Sequence, residues 1–168
     1  MGEKHQMDHG QYLTFTLGRE VLALDISKVR EVLELTSISQ IPRTPDFMRG
    51  VINLRGHAVP VVDMRRKLNM AHKDDTVETC IIITEIQYEA DQLVLGILVD
   101  SVREVFEMAA KDIEPAPRMG AAISTDYIKG MGRQDGTFVI IVDMDSIFSI
   151  EELEVAAQSN LHRGDAAA

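Results

Sequence analysis

Tryptophan is absent from this chain, cysteine occurs once, and the aromatic residues are five phenylalanines and three tyrosines. With Cys80 alone there is no intrachain disulfide and no thiolate metal cluster, which fits a reducing compartment. No apolar run approaches the roughly 20 residues that span a bilayer, so direct membrane insertion is not expected. The opening MGEKHQMDHG lacks the basic start and apolar stretch of a secretory signal, and a cytoplasmic location is the expectation. Positive charge is scarce too: 17 basic against 27 acidic residues, a net charge of -10, works against a phosphate backbone. Nucleic acid is therefore not an expected partner. Nor does the chain contain a G-x-x-x-x-G-K-[ST] phosphate loop or a G-x-S-x-G nucleophile elbow.

What the chain does contain is an echo. VREVLE at 29–34 returns as VREVFE at 102–107, and FMRGVINLRGHAVPVVDMRRKL at 47–68 aligns without a gap on YIKGMGRQDGTFVIIVDMDSIF at 127–148. Identical pairs include Gly50/Gly130, Gly56/Gly136, Val59/Val139 and Asp63/Asp143. Two matches in the same order at nearly the same offset point to one structural unit built twice. The unit reads as β. Leu13, Phe15 and Leu17 alternate with polar neighbours at the period of a half-buried strand. Further strands are expected at 21–24, 29–36, 49–54, 58–63, 77–86, 92–99, 102–108, 127–133 and 137–143, most of them bounded by Gly, Pro, Asn or Asp.

Asp135-Gly136 is a strong two-residue hairpin signal, and Arg55-Gly56 holds the same place in the first copy. Pro60 cannot donate to a ladder, so its strand is expected at an edge or at a bulge. Helix is limited to turns capped by Asp63 and Asp143 and a C-terminal helix that Ser149–Glu152 opens as a capping box, running to about residue 159. About ten short strands in a duplicated five-strand pattern give an all-β protein of two small barrels. A unit of roughly 150 residues buries about two-thirds of its unfolded surface, enough for a real core.

Candidate chemistry is thin. His5 and His9 lie in a segment with no apolar period, and His57, His72 and His162 have no partner at zinc-site spacing, so no metal and no cofactor are expected. Cys80, in the run TCIII, fits a small buried strand residue better than a nucleophile, which would need a basic neighbour. GMGRQDG is one residue too long for a dinucleotide fingerprint and runs into a strand rather than a helix. Asp63 ends an apolar strand as a phosphoacceptor does, but the βα alternation of receiver domains is missing, and its repetition as Asp143 favours a helix cap. Glu31, inside the strand VREVLEL, and Arg55, in the turn NLRG, are either both solvated or paired. Pairing makes a partly buried charge tolerable, and the second copy has Asp135 where the first has Arg55.

QYLTFTLGREVLALDISKVREV, IPRTPDFMRGVINLRGHAVPVVDMRRKL, LGILVDSVREV and the 127–148 segment follow one another in a way that resembles the CheW-like domain family, from about Gln11 to about Leu153. GVINLRG with the following VPVVD is the most specific part. The resemblance implies two five-stranded SH3-like barrels packed on a shared core. It divides the chain into a disordered tail at 1–10, a CheW-like domain of two intertwined barrels at 11–154, and a helix end with a frayed tail at 155–168. It further implies a non-catalytic adaptor between the cytoplasmic hairpin tips of chemoreceptors, the methyl-accepting chemotaxis proteins, and the regulatory domain of the histidine kinase CheA. Such an adaptor is cytoplasmic and recruited to membrane-associated arrays; the alternative is the same scaffold in a paralogous pathway, such as surface motility.

By that resemblance the receptor groove comprises Ile26, Val29, Glu31, Val32, Val99 and Val102. Gly50, Asn53, Arg55 and Gly56 form the coupling motif, with Arg55 paired to Glu31 and the glycines supplying tight turns. Cys80 and Ile81 lie on a strand matched to kinase binding. At 168 residues, a fused receiver or kinase domain is not expected.

Overall fold

A computed structural model describes residues 9–115, 125–149 and 151–154. Among them the expected strands all form: β1 (His9–Leu17), β2 (Glu20–Asp25), β3 (Val29–Glu34), β4 (Met48–Leu54), β5 (His57–Asp63), β6 (Cys80–Tyr88), β7 (Asp91–Val99), β8 (Ser101–Ala109), β9 (Ile128–Gln134) and β10 (Thr137–Val142). Strand β1 takes in His9 and Gly10, which pair with Ala109 and Met108, so the sheet begins inside the segment read as a tail. Residues 1–8 and 155–168 lie outside the described residues.

The strands make two five-stranded sheets, β8-β1-β2-β10-β9 and β3-β6-β7-β5-β4. A bridge closes each ring. Ser39, just past β3, exchanges two 2.8 Å backbone hydrogen bonds with Val51 of β4. Glu114, just past β8, does the same with Met131 of β9 at 2.8 and 2.7 Å. Both barrels are therefore built to one plan, with β3, β4 and β5 corresponding to β8, β9 and β10, and β6-β7 corresponding to β1-β2.

Membership is exchanged along the chain, since β1 and β2 join the C-terminal strands. Connection length explains this. Strands β2 and β8 are both antiparallel to β1 and so run parallel to each other. Were β3 to take the place of β8 in its own hairpin's barrel, the chain would need a crossover of a dozen or more residues. Only Ile26–Lys28, a single 3₁₀ turn, separates β2 from β3, and only Asp100 separates β7 from β8. The short links force each chain segment into the neighbouring barrel.

Alternation then assigns the core. Leu13, Phe15, Leu17, Leu22 and Leu24 of one barrel pack with Ile82, Ile86, Leu95, Ile97 and Val99 of the other in a shared inter-barrel cluster. Their sequence neighbours fill the two barrel interiors: Tyr12, Val21, Ala23, Val139 and Ile141 in one, Ile52, Val61, Ile81, Ile83 and Leu98 in the other. Strands buried on both faces read as unbroken apolar runs, which accounts for Ile81-Ile82-Ile83, each fully buried. Each such side chain contributes about 1.5–3 kcal/mol.

Local signals are realised in detail. Arg55 and Gly56 have φ of 51° and 87°, and Asp135 and Gly136 have 51° and 80°, the paired positive values of a type I′ turn. Asp63 caps α1 (Met64–Lys67) by accepting from the Arg65 and Arg66 amides, and Asp143 caps α2 (Met144–Ile147) by accepting from Asp145. Ser149 N donates to Glu152 Oε1 at 2.8 Å while Glu152 N donates to Ser149 Oγ at 3.1 Å, a complete capping box, and 151–154 are helical. Two expectations need correction. Strand β5 is interior, and Pro60 is accommodated because the ladder to β7 starts one residue later, at Val61. Gly50 is not in a turn: at φ 146° it lies within β4, where a Cβ would meet the Ser39 carbonyl oxygen at 2.2 Å.

Two charged clasps tie the links to the helical turns. Asp100 accepts from Arg65 Nε at 2.8 Å, from Arg65 Nη2 at 2.5 Å and from Gly18 N at 2.8 Å. Asp145 accepts from Lys28 Nζ at 2.8 Å and from Gln87 N at 3.1 Å. Burial raises both carboxyls, but these hydrogen bonds and the adjacent cations outweigh it, so each ionises below its ordinary 3.8. A depressed carboxyl stabilises above the unfolded value and loses that contribution as pH falls through the folded one. Asp100→Asn is accordingly expected to cost about 1.5 kcal/mol at pH 7 and less at pH 3. Urea midpoints of both proteins at the two pH values test this; an equal loss at both would refute it.

Candidate functional site

The echoed VREV has a geometric cause. In β3 the register slips between Val29, opposite Thr84, and Glu31, opposite Ile83; Val32 is then opposite Ile82. In β8 Val102 faces Phe15 and Val105 faces Leu13, across a slip in the same place. Each strand thus holds one extra residue in its Arg-Glu pair, a β-bulge. A bulge shifts the alternation by one, so both valines of each VREV point to the inter-barrel face although they are three residues apart. In the first barrel the Thr14 hydroxyl donates to Glu104 O at 2.7 Å and accepts from Glu104 N at 3.1 Å, meeting the backbone groups the bulge frees.

Strands β3 and β8 are the outer strands of their sheets, so this face carries an apolar rim. Ile26, Val29 and Val102 are partly buried against the shared core. Val32 is 40% exposed and Val105 48% exposed. Cys80, which pairs with both Glu34 and Val99, packs with Val102 against the shared core, and its thiol donates to Glu78 O at 3.1 Å. Burial, ahead of the charges of Glu34 and Glu78, raises the Cys80 thiol above its ordinary value, so it stays protonated and apolar.

Of the residues assigned to the groove, Ile26, Val29, Val32 and Val102 lie along this face, while Val99 is buried beneath it. Glu31 does not share the face. The bulge turns it with Ile83 toward the mouth of the second barrel, a cleft of about 570 Å³ lined also by Leu54, Arg55, Val59 and Leu93. There the carboxylate is held by the Arg55 guanidinium through two hydrogen bonds, Nη1 to Oε1 at 3.0 Å and Nη2 to Oε2. Asn53 Oδ1 accepts from Gly56 N at 2.8 Å and fixes the turn that presents Arg55. Glu104 in the other barrel accepts instead from Gln134 Nε2 at 2.9 Å, so the arginine pair belongs to the first copy alone. Ile81 is fully buried inside the second barrel and offers no surface to a partner. Val105 was missed, although its signal was the echo itself: whatever Val32 does, the matching residue of VREVFE is placed to do. Asp63 is 7% exposed and spent on its cap, with Arg49 at 3.7 Å.

The model of the CheW-like domain matches residues 11–152. The chain belongs to the CheW-like domain family. The chemotaxis protein CheW of Klebsiella aerogenes is 36% identical over 143 residues, covering 85% of this chain and 84% of that one. The CheW of Rhizobium meliloti is 32% identical over 154 residues, covering 91% and 97%. The crystal structure of the scaffolding protein TtCheW from Thermoanaerobacter tengcongensis superposes with a TM-score of 0.76 at 33% identity, over 85% of this chain and 90% of that one. The two-barrel fold of the CheW-like family is thus the frame on which the valine rim and the Glu31–Arg55 pair are mounted.

Proposed function

We propose that this protein is a non-catalytic cytoplasmic adaptor that couples the hairpin tips of chemoreceptors to the regulatory domain of the histidine kinase CheA in membrane-associated arrays. The observation that carries the reading is the apolar rim of Ile26, Val29, Val32, Val102 and Val105 between two barrels of a CheW-like domain. An apolar groove that takes the face of an amphipathic helix is a common recognition mode, and a small one gives a modest, reversible contact. Many such contacts in an array supply the affinity that one lacks. The Glu31–Arg55 pair at the barrel mouth, beside β3, belongs to the same working region, and β6, the strand that begins at Cys80, is assigned to the kinase side.

The test is autophosphorylation of CheA with a receptor fragment, with and without this protein. Stimulation above the basal rate is expected, and Arg55→Ala is expected to reduce it several-fold while moving the urea midpoint little, because the guanidinium side chain is 68% exposed. No stimulation with any of several receptors would refute chemoreceptor coupling and move the scaffold to the paralogous pathway.

A further inference from the structure

Lys67, the last residue of α1, occupies a position that no expectation from sequence touched. Its side chain is only 10% exposed. The ammonium lies 5.3 Å from the ring of Phe47, 5.5 Å from Tyr127 and 5.7 Å from Phe148, and donates to both carboxylate oxygens of Glu152 at 3.1 and 3.0 Å. A cation within about 6 Å of three ring centres and paired to a carboxylate satisfies both its charge and its partial burial.

The origin of those rings is what matters. Phe47 and Tyr127 are equivalent residues of the two copies, each entering its barrel by the same hydrogen bond: Asp63 N donates to Phe47 O and Asp143 N to Tyr127 O, both at 2.8 Å. One lysine of the second barrel therefore sits between the two barrels, against the matching ring of each. Phe148 follows α2 in the first barrel and packs 6.2 Å from Phe47. Glu152 uses the same Oε1 to accept from Lys67 and from the capping amide of Ser149, so the start of the C-terminal helix is fastened to the same point. The equivalent of Lys67 in the other copy is Ile147, which cannot make this contact.

The cage is formed by the segments that enter β4 and β9 together with α1 and the residues after α2, whereas the valine rim runs along β3 and β8, and both border the shared inter-barrel core. A contact that holds matching residues of two barrels together sets the angle between the barrels, and with it the spacing of β3 and β8. We infer that Lys67 is the positioning residue that fixes the width of the inter-barrel groove. It touches no partner and acts through the relative orientation of the barrels; its consequence for receptor binding rests on the function proposed above.

The test is a distance. In the full chain with Cys80→Ser, spin labels at Glu34→Cys on β3 and Arg103→Cys on β8, both exposed positions, report the separation across the rim by pulsed electron resonance. Lys67→Met keeps the length and the ring contacts and removes the charge; it is expected to broaden or shift the distribution, and Lys67→Arg to restore most of it. In the unlabelled protein, Lys67→Met is expected to weaken binding of a receptor hairpin fragment by roughly 3- to 10-fold while leaving the affinity for the CheA regulatory domain unchanged. An unchanged distance distribution in folded Lys67→Met would overturn the inference, as would equal weakening toward both partners, the mark of general destabilisation. A changed distribution with unchanged receptor affinity would leave Lys67 as the fastening and overturn the groove reading instead.

Discussion

Replacing Gly50 with alanine is expected to lower folding stability by about 3 kcal/mol or more. Three costs coincide there. The added Cβ would lie 2.2 Å from the Ser39 carbonyl oxygen and 2.8 Å from Ile38 Cγ2, contacts no side chain can make. The φ of 146° is strained for any residue with a Cβ. Relieving the clash means parting Ser39 from Val51, and with them the two backbone bonds that close the second barrel. The motif contains its own control, because Gly56 also has positive φ but nothing within 4 Å of its Cβ direction. Gly56→Ala should therefore cost only the local strain, about 1 kcal/mol. Gly130, the partner of Gly50 in the other copy, meets a movable side chain, Ile113 Cγ2 at 2.4 Å, and the Glu114 carbonyl oxygen only at 3.1 Å. Urea denaturation should rank the losses Gly50, then Gly130, then Gly56; a Gly50 variant no weaker than the Gly56 variant would refute the closure argument.

Glu31→Lys is the second large effect, on coupling rather than on folding. The change sets an ammonium against the Arg55 guanidinium at the mouth of the second barrel and frees Arg55 from the carboxylate that holds it there. With Arg55 68% and Glu31 28% exposed, solvent screens the repulsion and the stability cost should stay near 1 kcal/mol. If the barrel mouth takes part in the proposed receptor contact, stimulation of CheA should fall close to the basal rate. The combination Glu31→Lys with Arg55→Glu restores an ion pair of opposite sense and separates pairing from identity. Recovery would mean that a rigid pair suffices, and continued failure that a partner reads these charges. Normal stimulation by Glu31→Lys alone would remove Glu31 from the working surface.

Much of this was legible in the chain because it is local. Strand periods, the Asp-Gly and Arg-Gly turns, the aspartate caps and the Ser149–Glu152 box each depend on a few adjacent residues, and all appear where the residues call for them. The Glu31–Arg55 pair could be anticipated because a charge within an apolar strand needs a reason. What failed was whatever depends on a phase or on distant partners. The resemblance groups Glu31 with Val32, and nothing in VREVLE marks the bulge that turns the two to different faces. The resemblance makes Gly50 a turn residue, and its neighbour across the seam, Ser39, makes no local signal that would correct it. Lys67 escaped notice because its cage draws on residues 47, 127, 148 and 152. The exchange between barrels was readable in principle, since three residues cannot carry a chain back past two strands, but only once the pairing of β1 with β8 was known.

That exchange imposes an order on biogenesis. The second barrel is contiguous, from Val29 to Val99, and can close while the remainder is still being synthesised. The first barrel cannot, because its opening hairpin, made before the second barrel, must wait for β8, β9 and β10. Until then Leu13, Phe15, Leu22 and Leu24 have only the finished neighbour to lie against. The inter-barrel face that later serves as a joint is thus first a shelter for an unfinished sheet, and pairings so distant in sequence make its completion the slow step of folding.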